Sequence, residues 1–245
     1  MNPEQRLQSE KDFHNQVFSD DSRQSTDKYY RSTGSSMSAY LDLITTDIKG
    51  KTVMEYGCGP RGAAFPLARK GANVTAIDIS DVAIELTREH AARNGLAIDC
   101  QLMDAEKLTF DDRTFDLICG SGILHHLDLE PSYRELSRTL KPYGKAVFYE
   151  PLGHNPLINL YRRLTPSIRT DDEHPLLMDD IALAEKYFAS VKVFYFNLTA
   201  TVSSFIPLLQ KPLSSLDSFL FSRLPWLRKH AWIVVIELSQ PRNPA

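Results

Sequence analysis

The chain has 245 residues, with 28 basic and 31 acidic side chains and a formal net charge of -3. This length is enough for one sizeable α/β domain but leaves little room for two. The charges are nearly balanced and form no long basic run, which argues against nucleic acid as a main partner, because phosphate binding needs a concentrated positive face. Three cysteines without a CxxC pair argue against a disulfide framework and favour a reducing, cytoplasmic setting.

Neither a secretion signal nor a membrane span is predicted. The first residues lack the apolar core of a signal peptide, and no apolar run is long enough to cross a bilayer. The most apolar late stretch, residues 205–232, is interrupted by Pro207, Pro212 and Pro225. We therefore predict no stable insertion into a membrane, and peripheral contact with lipid is left open.

In chain order, residues 1–34 are polar with scattered aromatic side chains, and they show no strand pattern. We predict a helical arm or lid there, followed by one domain over residues 35–245. The domain begins with a helix, because its apolar residues recur at i, i+3, i+4 and i+7. These residues are Met37, Tyr40, Leu41 and Ile44.

Strands and helices then alternate with short links, which predicts right-handed βαβ units. Seven strands are predicted, at residues 52–56, 74–77, 99–102, 115–119, 145–149, 191–196 and 232–238. The helix over 131–140 is predicted to end at the sequence Lys141-Pro142-Tyr143-Gly144. The predicted fold is α/β, a Rossmann-like, seven-stranded, mostly parallel sheet with helices on both faces. Residues 152–178 are predicted to be a long irregular insertion of the kind that is usually functional. Residues 199–230 are predicted to be a second insertion, and the family resemblance described below implies that it lies on the substrate side of the domain.

The chain is organised around a glycine turn at residues 57–62. A short apolar strand breaks into Gly57 and Gly59, and a helix follows, so a ligand can approach the main chain and the free N–H groups of the helix start. The spacing of Gly57, Gly59 and Gly62 also fits the dinucleotide fingerprint, which alone is a weak signal. Two acids at later strand ends bear on what is bound.

Asp78 follows the second strand about twenty residues after the first glycine. At that sheet edge a carboxylate suits a ribose diol, and the alternative is a helix cap, which Ser80 or Asp81 can supply instead. Asp104, at the end of the third strand, can accept a hydrogen bond from an adenine amino group. Its alternative interpretation is an ordinary turn acid.

The chain resembles the class I S-adenosylmethionine-dependent methyltransferases, in the small-molecule branch that includes the quinone-biosynthesis enzymes. The resemblance covers residues 50–150, in the family's order and spacing. The segments that carry it are Glu55-Tyr56-Gly57-Cys58-Gly59, Asp78, Asp104-Ala105-Glu106, Phe115-Asp116-Leu117-Ile118, Gly122-Ile123-Leu124-His125-His126-Leu127 and Leu140-Lys141-Pro142-Tyr143-Gly144.

The resemblance implies a set of residues that bind S-adenosylmethionine. Its amino-acid end would face Glu55, Gly57, Cys58 and Gly59. Its ribose would face Asp78 and the adjacent Ile79, its adenine Asp104 and Ala105, and its methionine moiety the backbone of Gly120. Arg61 stands where the family often has glycine, which leaves the path of the loop open.

Groups that could assist catalysis come after the fourth and fifth strands. His125 and His174 are candidate general bases, and Glu150 lies at the same predicted edge. His126 and His154 are candidate substrate contacts, as are Tyr29 and Tyr30 of the arm. The spacing of the acids and histidines in residues 150–174 matches no established ligand pattern, so no metal is predicted.

The leading hypothesis is methyl transfer from S-adenosylmethionine to O, N or C of a small, hydrophobic or aromatic acceptor. Positioning supplies most of the rate, because the sulfonium is already activated. A nicotinamide-dependent oxidoreductase is the first alternative. A protein that binds S-adenosylmethionine without methylating is the second. The oligomeric state is left open.

Overall fold

The computed structural model describes residues 3–19, 33–60, 62–156, 158–160, 175–204 and 206–242. Seven strands and seven α-helices are described. The strands are β1 (Thr52–Tyr56), β2 (Asn73–Asp78), β3 (Ile98–Leu102), β4 (Phe115–Ser121), β5 (Leu140–Pro151), β6 (Phe188–Phe196) and β7 (Ile233–Pro241). The helices are α1 (Pro3–Ser19), α2 (Gly34–Thr45), α3 (Ala64–Arg69), α4 (Asp81–Arg93), α5 (Leu129–Thr139), α6 (Met178–Leu183) and α7 (Gln210–Arg223).

All seven strands form one sheet, in the order β3-β2-β1-β4-β5-β7-β6. The first five pair in parallel, and β7 is antiparallel to both of its neighbours. The prediction of a seven-stranded, mostly parallel sheet is confirmed. A dinucleotide-binding sheet has the order 3-2-1-4-5-6, so the antiparallel β7 between β5 and β6 sets this fold apart from that class.

Hydrophobic cores cover the two faces of the sheet. On one face, Tyr40 and Ile44 of α2 pack with Leu67 of α3 and Ile84 of α4. On the other face lie α5, α6 and α7, which contribute the buried side chains Tyr133, Leu136, Ile181 and Phe221. Neighbours along β1 take opposite sides, since Val53 belongs to the first core and Met54 to the second. This double cover explains the nearly continuous apolar strands of the sequence.

One predicted strand boundary was wrong. Helix α5 ends at Thr139, in agreement with the predicted stop, but the sequence from Lys141 to Gly144 is part of β5, which begins at Leu140 beside Phe115 and not at Lys145. The register between β4 and β5 shifts between Phe115 and Leu117, and this irregularity accommodates the proline and glycine. Helix α6, which carries the buried Ile181, is short: it ends at Leu183, and a 3₁₀ turn follows over Ala184–Lys186.

The helical arm is present as α1, which packs beside α4 over the carboxyl ends of the strands. Asn15 donates to Asp81 at 2.8 Å and accepts from the Ser80 hydroxyl at 2.6 Å. At the other end of α1, Arg6 reaches Glu106 at 2.5 Å and the His126 carbonyl at 3.1 Å. Within the described part of the chain, no helix is long and apolar enough to cross a membrane.

Candidate active site

A cavity of about 970 Å³ opens at the carboxyl ends of β1, β2 and β4. Ligands of open α/β sheets bind at this edge. Helices α1 and α2 close it on the outer side with the apolar residues Leu7, Val17, Phe18, Met37 and Leu41. The predicted site residues that line it are Glu55, Gly57, Cys58, Gly59, Asp78, Ile79, Asp104, Ala105 and His126.

The glycine turn needs glycine because of both its backbone angles and its neighbours. Gly57 has φ +71° and Gly59 has φ +50°, in the left-handed region that side chains disfavour. A Cβ atom at Gly57 would lie 2.6 Å from Cδ1 of Ile123. The main chain of the turn therefore comes close to the loop that follows β4 and leaves its peptide groups on the cavity wall.

Glu55 fixes the end of the glycine turn that leads into α3. Its buried carboxylate accepts the N–H groups of Ala63 and Ala64, the latter at 2.8 Å, at the start of α3. A Cβ atom at Gly62 would collide with both Glu55 oxygens and with the Cys58 carbonyl, so this position requires glycine. Burial raises the pKa of Glu55 to about 8, against the opposing effect of the two N–H donors. Arg61, whose effect on the loop the sequence left open, lies outside the described residues.

Asp78 joins the glycine turn to the start of α4. Its Oδ2 accepts the N–H of Gly59 at 2.9 Å, and its Oδ1 accepts the N–H of Ser80 at 2.9 Å. The cap of α4 is Ser80, whose hydroxyl accepts from the N–H of Ala83 at 3.0 Å. The alternative of Asp78 as the helix cap is therefore excluded. Burial raises the pKa of Asp78, although the N–H donors oppose this.

Asp104 and Ala105 form the wall beyond β3. Oδ1 of Asp104 accepts the N–H of Glu106 at 2.8 Å, which is the turn role that the sequence held as an alternative. The hydroxyl of Tyr56 donates to the carbonyl of Ala105. Both Asp104 and Ala105 also line the cavity, so the turn role does not remove them from the site.

His125, a candidate general base, and Glu150, which was predicted at the same sheet edge, lie behind the cavity wall. Glu150 is fully buried, and its Oε1 accepts the N–H groups of Ile123 and Leu124 at 2.9 Å each. Its Oε2 lies 2.8 Å from Nδ1 of His125. Neither residue lines the cavity. They fix the loop after β4 instead of contacting a substrate.

Gly120 also lies behind the wall. Its absent Cβ would meet the Tyr56 carbonyl at 2.7 Å and Cγ2 of Ile123 at 2.8 Å, so the glycine lets β4 and the loop pack closely. The backbone that reaches the cavity in its place is that of Ser121 and Gly122.

His126 is the histidine of the pair that faces the cavity. Its Nδ1 lies 3.3 Å from Oε2 of Glu10, a residue of α1. Burial lowers the pKa of His126, against the effect of Glu10. His14, one helical turn after Glu10, also lines the cavity, and its ring centroid lies 5.1 Å from that of His126. No sequence pattern indicated Glu10 or His14, because the third member of the group, His126, comes from the distant loop after β4.

Of the remaining predicted residues, His154 is described and does not line the cavity. His154 accepts the N–H of Met178 at 3.4 Å, and its carbonyl lies 3.0 Å from Nδ1 of His230. Tyr29, Tyr30 and His174 lie outside the described residues. The described residues of the two predicted insertions do not line the cavity either. The later insertion packs on β6, where Phe221 of α7 contacts Tyr195.

Comparison with known proteins bears on the same region. A family model described as a methyltransferase domain matches residues 54–148. Ubiquinone biosynthesis O-methyltransferase of Coxiella burnetii is 35% identical over 123 residues, which are 50% of this chain and 52% of that protein. The enzyme of the same name from Methylocella silvestris is 38% identical over 98 residues, 40% of this chain and 38% of that protein. The chain spans about half the length, or less, of these curated relatives.

Among solved structures, phosphoethanolamine N-methyltransferase 2 of Haemonchus contortus, in complex with S-adenosyl-L-methionine, superposes with a TM-score of 0.64. The match is 17% identical and covers 85% of this chain and 53% of that chain. At this identity it shows similarity of fold alone. The sheet order, the glycine turn and the family match agree over the same residues. Residues 54–148 of the chain thus match a methyltransferase domain, and the sheet has the fold of a methyltransferase solved with S-adenosyl-L-methionine.

Proposed function

We propose that this protein transfers a methyl group from S-adenosylmethionine to a hydroxyl group of a small, hydrophobic or aromatic acceptor. The observation that carries the proposal is the single cavity in which the glycine turn, Asp78 and Asp104 meet an apolar wall. The curated relatives are named as O-methyltransferases, which favours oxygen over nitrogen or carbon as the acceptor atom.

The residues of the cavity fit the cofactor. Gly57 and Gly59 form a cradle that Cβ atoms would fill or strain, so a ligand can lie against their peptide groups. Asp78 offers carboxylate oxygens to a ribose diol, and Glu55 offers carboxyl oxygens as hydrogen-bond acceptors near the amino-acid end of the cofactor. Asp104 and Ala105 border the space for the adenine. When bound, S-adenosylmethionine supplies an activated methyl group on a sulfonium.

The chain contributes by positioning and by excluding water. The apolar side chains of α1 and α2 close the cavity opposite the glycine turn, and they suit an aromatic or lipophilic acceptor. Such an enclosed site holds the two reactants together and limits competing hydrolysis. His126 faces the cavity with a lowered pKa, so near neutral pH its imidazole can take a proton from an acceptor hydroxyl. Glu150 and His125 position this histidine by fixing its loop.

Calorimetric titration with S-adenosylhomocysteine tests the cofactor half of the proposal. We expect Asp78→Ala to weaken binding about 10- to 100-fold, since hydrogen bonds to a charged group contribute about 1.5–3 kcal/mol. Asp99→Ala, which removes an exposed carboxylate of β3, is the matched control and leaves binding unchanged. No binding by the wild type, or tighter binding of NADH, would overturn the proposal.

Transfer of a labelled methyl group tests the acceptor half. A panel of catechols, simple phenols, aromatic amines and alkyl alcohols distinguishes the acceptor atom and the need for an aromatic ring. We expect label on the hydroxyl compounds with an aromatic ring. Tight cofactor binding with no transfer to the panel or to a cell extract supports instead a protein that binds S-adenosylmethionine without methylating.

A further inference from the structure

Three side chains meet at the cavity, and none of them is among the residues proposed to contact the cofactor. Glu10 and His14 stand one turn apart on α1, and His126 comes from the loop after β4. Oε2 of Glu10 lies 3.4 Å from Nε2 of His14 and 3.3 Å from Nδ1 of His126. Each residue offers a ligand atom within 4.8 Å of those of the other two.

The polar atoms of this cluster lack partners where they are buried. Oε2 of Glu10, Nδ1 of His14 and Nδ1 of His126 have no hydrogen bond of acceptable geometry to the described residues. Glu10 is 7% exposed, and the His126 side chain is 8% exposed. Leaving buried polar atoms unsatisfied destabilises the folded chain. Two of these atoms, Oε2 of Glu10 and Nδ1 of His126, lie only 3.3 Å apart, which indicates that one further group can satisfy both.

The spacing suits a transition-metal ion. Metal–nitrogen and metal–oxygen bonds of zinc are about 2.0–2.2 Å long, and two ligands of a tetrahedral ion then lie about 3.3–3.5 Å apart. Oε2 of Glu10 lies 3.4 Å from Nε2 of His14 and 3.3 Å from Nδ1 of His126, and both distances match this separation between two ligand atoms. Two imidazoles and one carboxylate are a set that binds zinc and other divalent transition metals while leaving coordination positions open.

We propose that Glu10, His14 and His126 bind one divalent transition-metal ion, with its open coordination positions directed into the cavity. All three residues line that cavity, so a ligand inside it can reach the ion. The ion would join α1 to the loop after β4, beside the existing contact of Arg6 with the His126 carbonyl. The sequence did not predict this site, because its ligands lie on two elements about 110 residues apart.

A role of the ion in methyl transfer follows as well, and this role rests on the proposed function. An acceptor hydroxyl bound to the ion loses its proton more readily, because a divalent cation stabilises the oxyanion. In that case the ion orients the acceptor, His126 serves as a ligand of the ion in place of acting as the general base, and the hydroxyl proton passes to solvent. Metal binding itself does not depend on this use.

The test is metal binding by the full chain after treatment with EDTA and dialysis. Calorimetric titration with Zn²⁺ should show one ion per chain, and Co²⁺ should give the visible absorption of nitrogen and oxygen ligation. We expect His14→Gln, His126→Gln and Glu10→Gln each to weaken Zn²⁺ binding at least about 100-fold, beyond the effect of losing an outer hydrogen bond. Glu85→Gln, on the exposed face of α4, is the matched control and should bind Zn²⁺ like the wild type.

Circular dichroism of each variant without metal shows whether it folds. His126→Gln lies outside α1, so it stays informative if the two α1 variants lose helix. The proposal is overturned if the wild type binds no ion, or if the folded variants bind as tightly as the wild type. Titration with S-adenosylhomocysteine in the absence of metal reports on the proposed function separately.

Discussion

Two substitutions of Glu150 test whether this residue has a structural or a catalytic role. Its Oε1 accepts two backbone N–H groups of the loop after β4, and its Oε2 faces His125, with all three distances between 2.8 and 2.9 Å. Glu150→Ala leaves the two N–H groups buried without an acceptor, at about 1–3 kcal/mol each, and opens a small cavity. We expect it to lower the free energy of unfolding by about 3–5 kcal/mol.

Glu150→Gln keeps a carbonyl oxygen for the two N–H groups but removes the charge. The loss should be about 1–2 kcal/mol, since a hydrogen bond to a neutral group is weaker than one to an ion. Because Glu150 does not line the cavity, the glutamine variant should still bind S-adenosylhomocysteine with nearly the affinity of the wild type.

Urea unfolding followed by tryptophan fluorescence measures these differences, with Glu85→Gln as an exposed control expected within about 0.5 kcal/mol of the wild type. The structural reasoning is refuted if both Glu150 variants unfold at the urea concentration of the wild type. It is also refuted if Glu150→Gln abolishes methyl transfer while stability and cofactor affinity remain unchanged, because Glu150 would then act on the substrate.

Two further predictions concern the glycine turn. The raised pKa of Glu55, about 8 in the folded chain against an ordinary value of 4.5, means that the folded state retains a proton that the unfolded state loses. Relative to Glu55→Gln, the wild type should lose stability as pH rises from about 4.5 to about 8, by up to about 1.4 kcal/mol per pH unit. Urea unfolding at several pH values measures this, and a pH-independent difference contradicts it. Gly62→Ala should remove measurable binding of S-adenosylhomocysteine, because its Cβ collides with the Glu55 carboxylate and the Cys58 carbonyl. Gly95→Ala, where a Cβ meets open space despite φ +62°, should lose only about 1–2 kcal/mol of stability and keep its binding.

The fold could be predicted because its signals are local. Apolar runs that end in glycine or an acid specify the parallel strands, and the helix period specifies α2. The glycine turn and Asp78 lie near the same sheet edge by topology, so their common placement followed from the order of elements. The start of β5 was missed because Pro142 and Gly144 are tolerated at an irregular pairing that depends on the neighbouring strand.

The rest of the site depends on contacts between distant parts of the chain. Arg6 and His126 are separated by 120 positions, and no periodicity in α1 indicates that it packs over the sheet edge. The adjacent histidines after β4 also look alike in the sequence. His125 contacts the buried Glu150, whereas His126 lines the cavity. This difference between the two histidines depends on tertiary contacts, which a linear sequence pattern does not encode.

The position of β7 has a consequence for how the chain folds. In the described sheet, β6 pairs with β7 alone, and β7 also completes the edge of β5. During synthesis, therefore, β6 leaves the ribosome before the strand that anchors it, and α7 emerges between the two. Until β7 arrives, β5 exposes an unpaired edge with the apolar residues Val147 and Phe148, which is a template for pairing with other chains. Pairing of β7 thus completes this sheet, and we expect the nascent chain to be most prone to aggregation before β7 emerges.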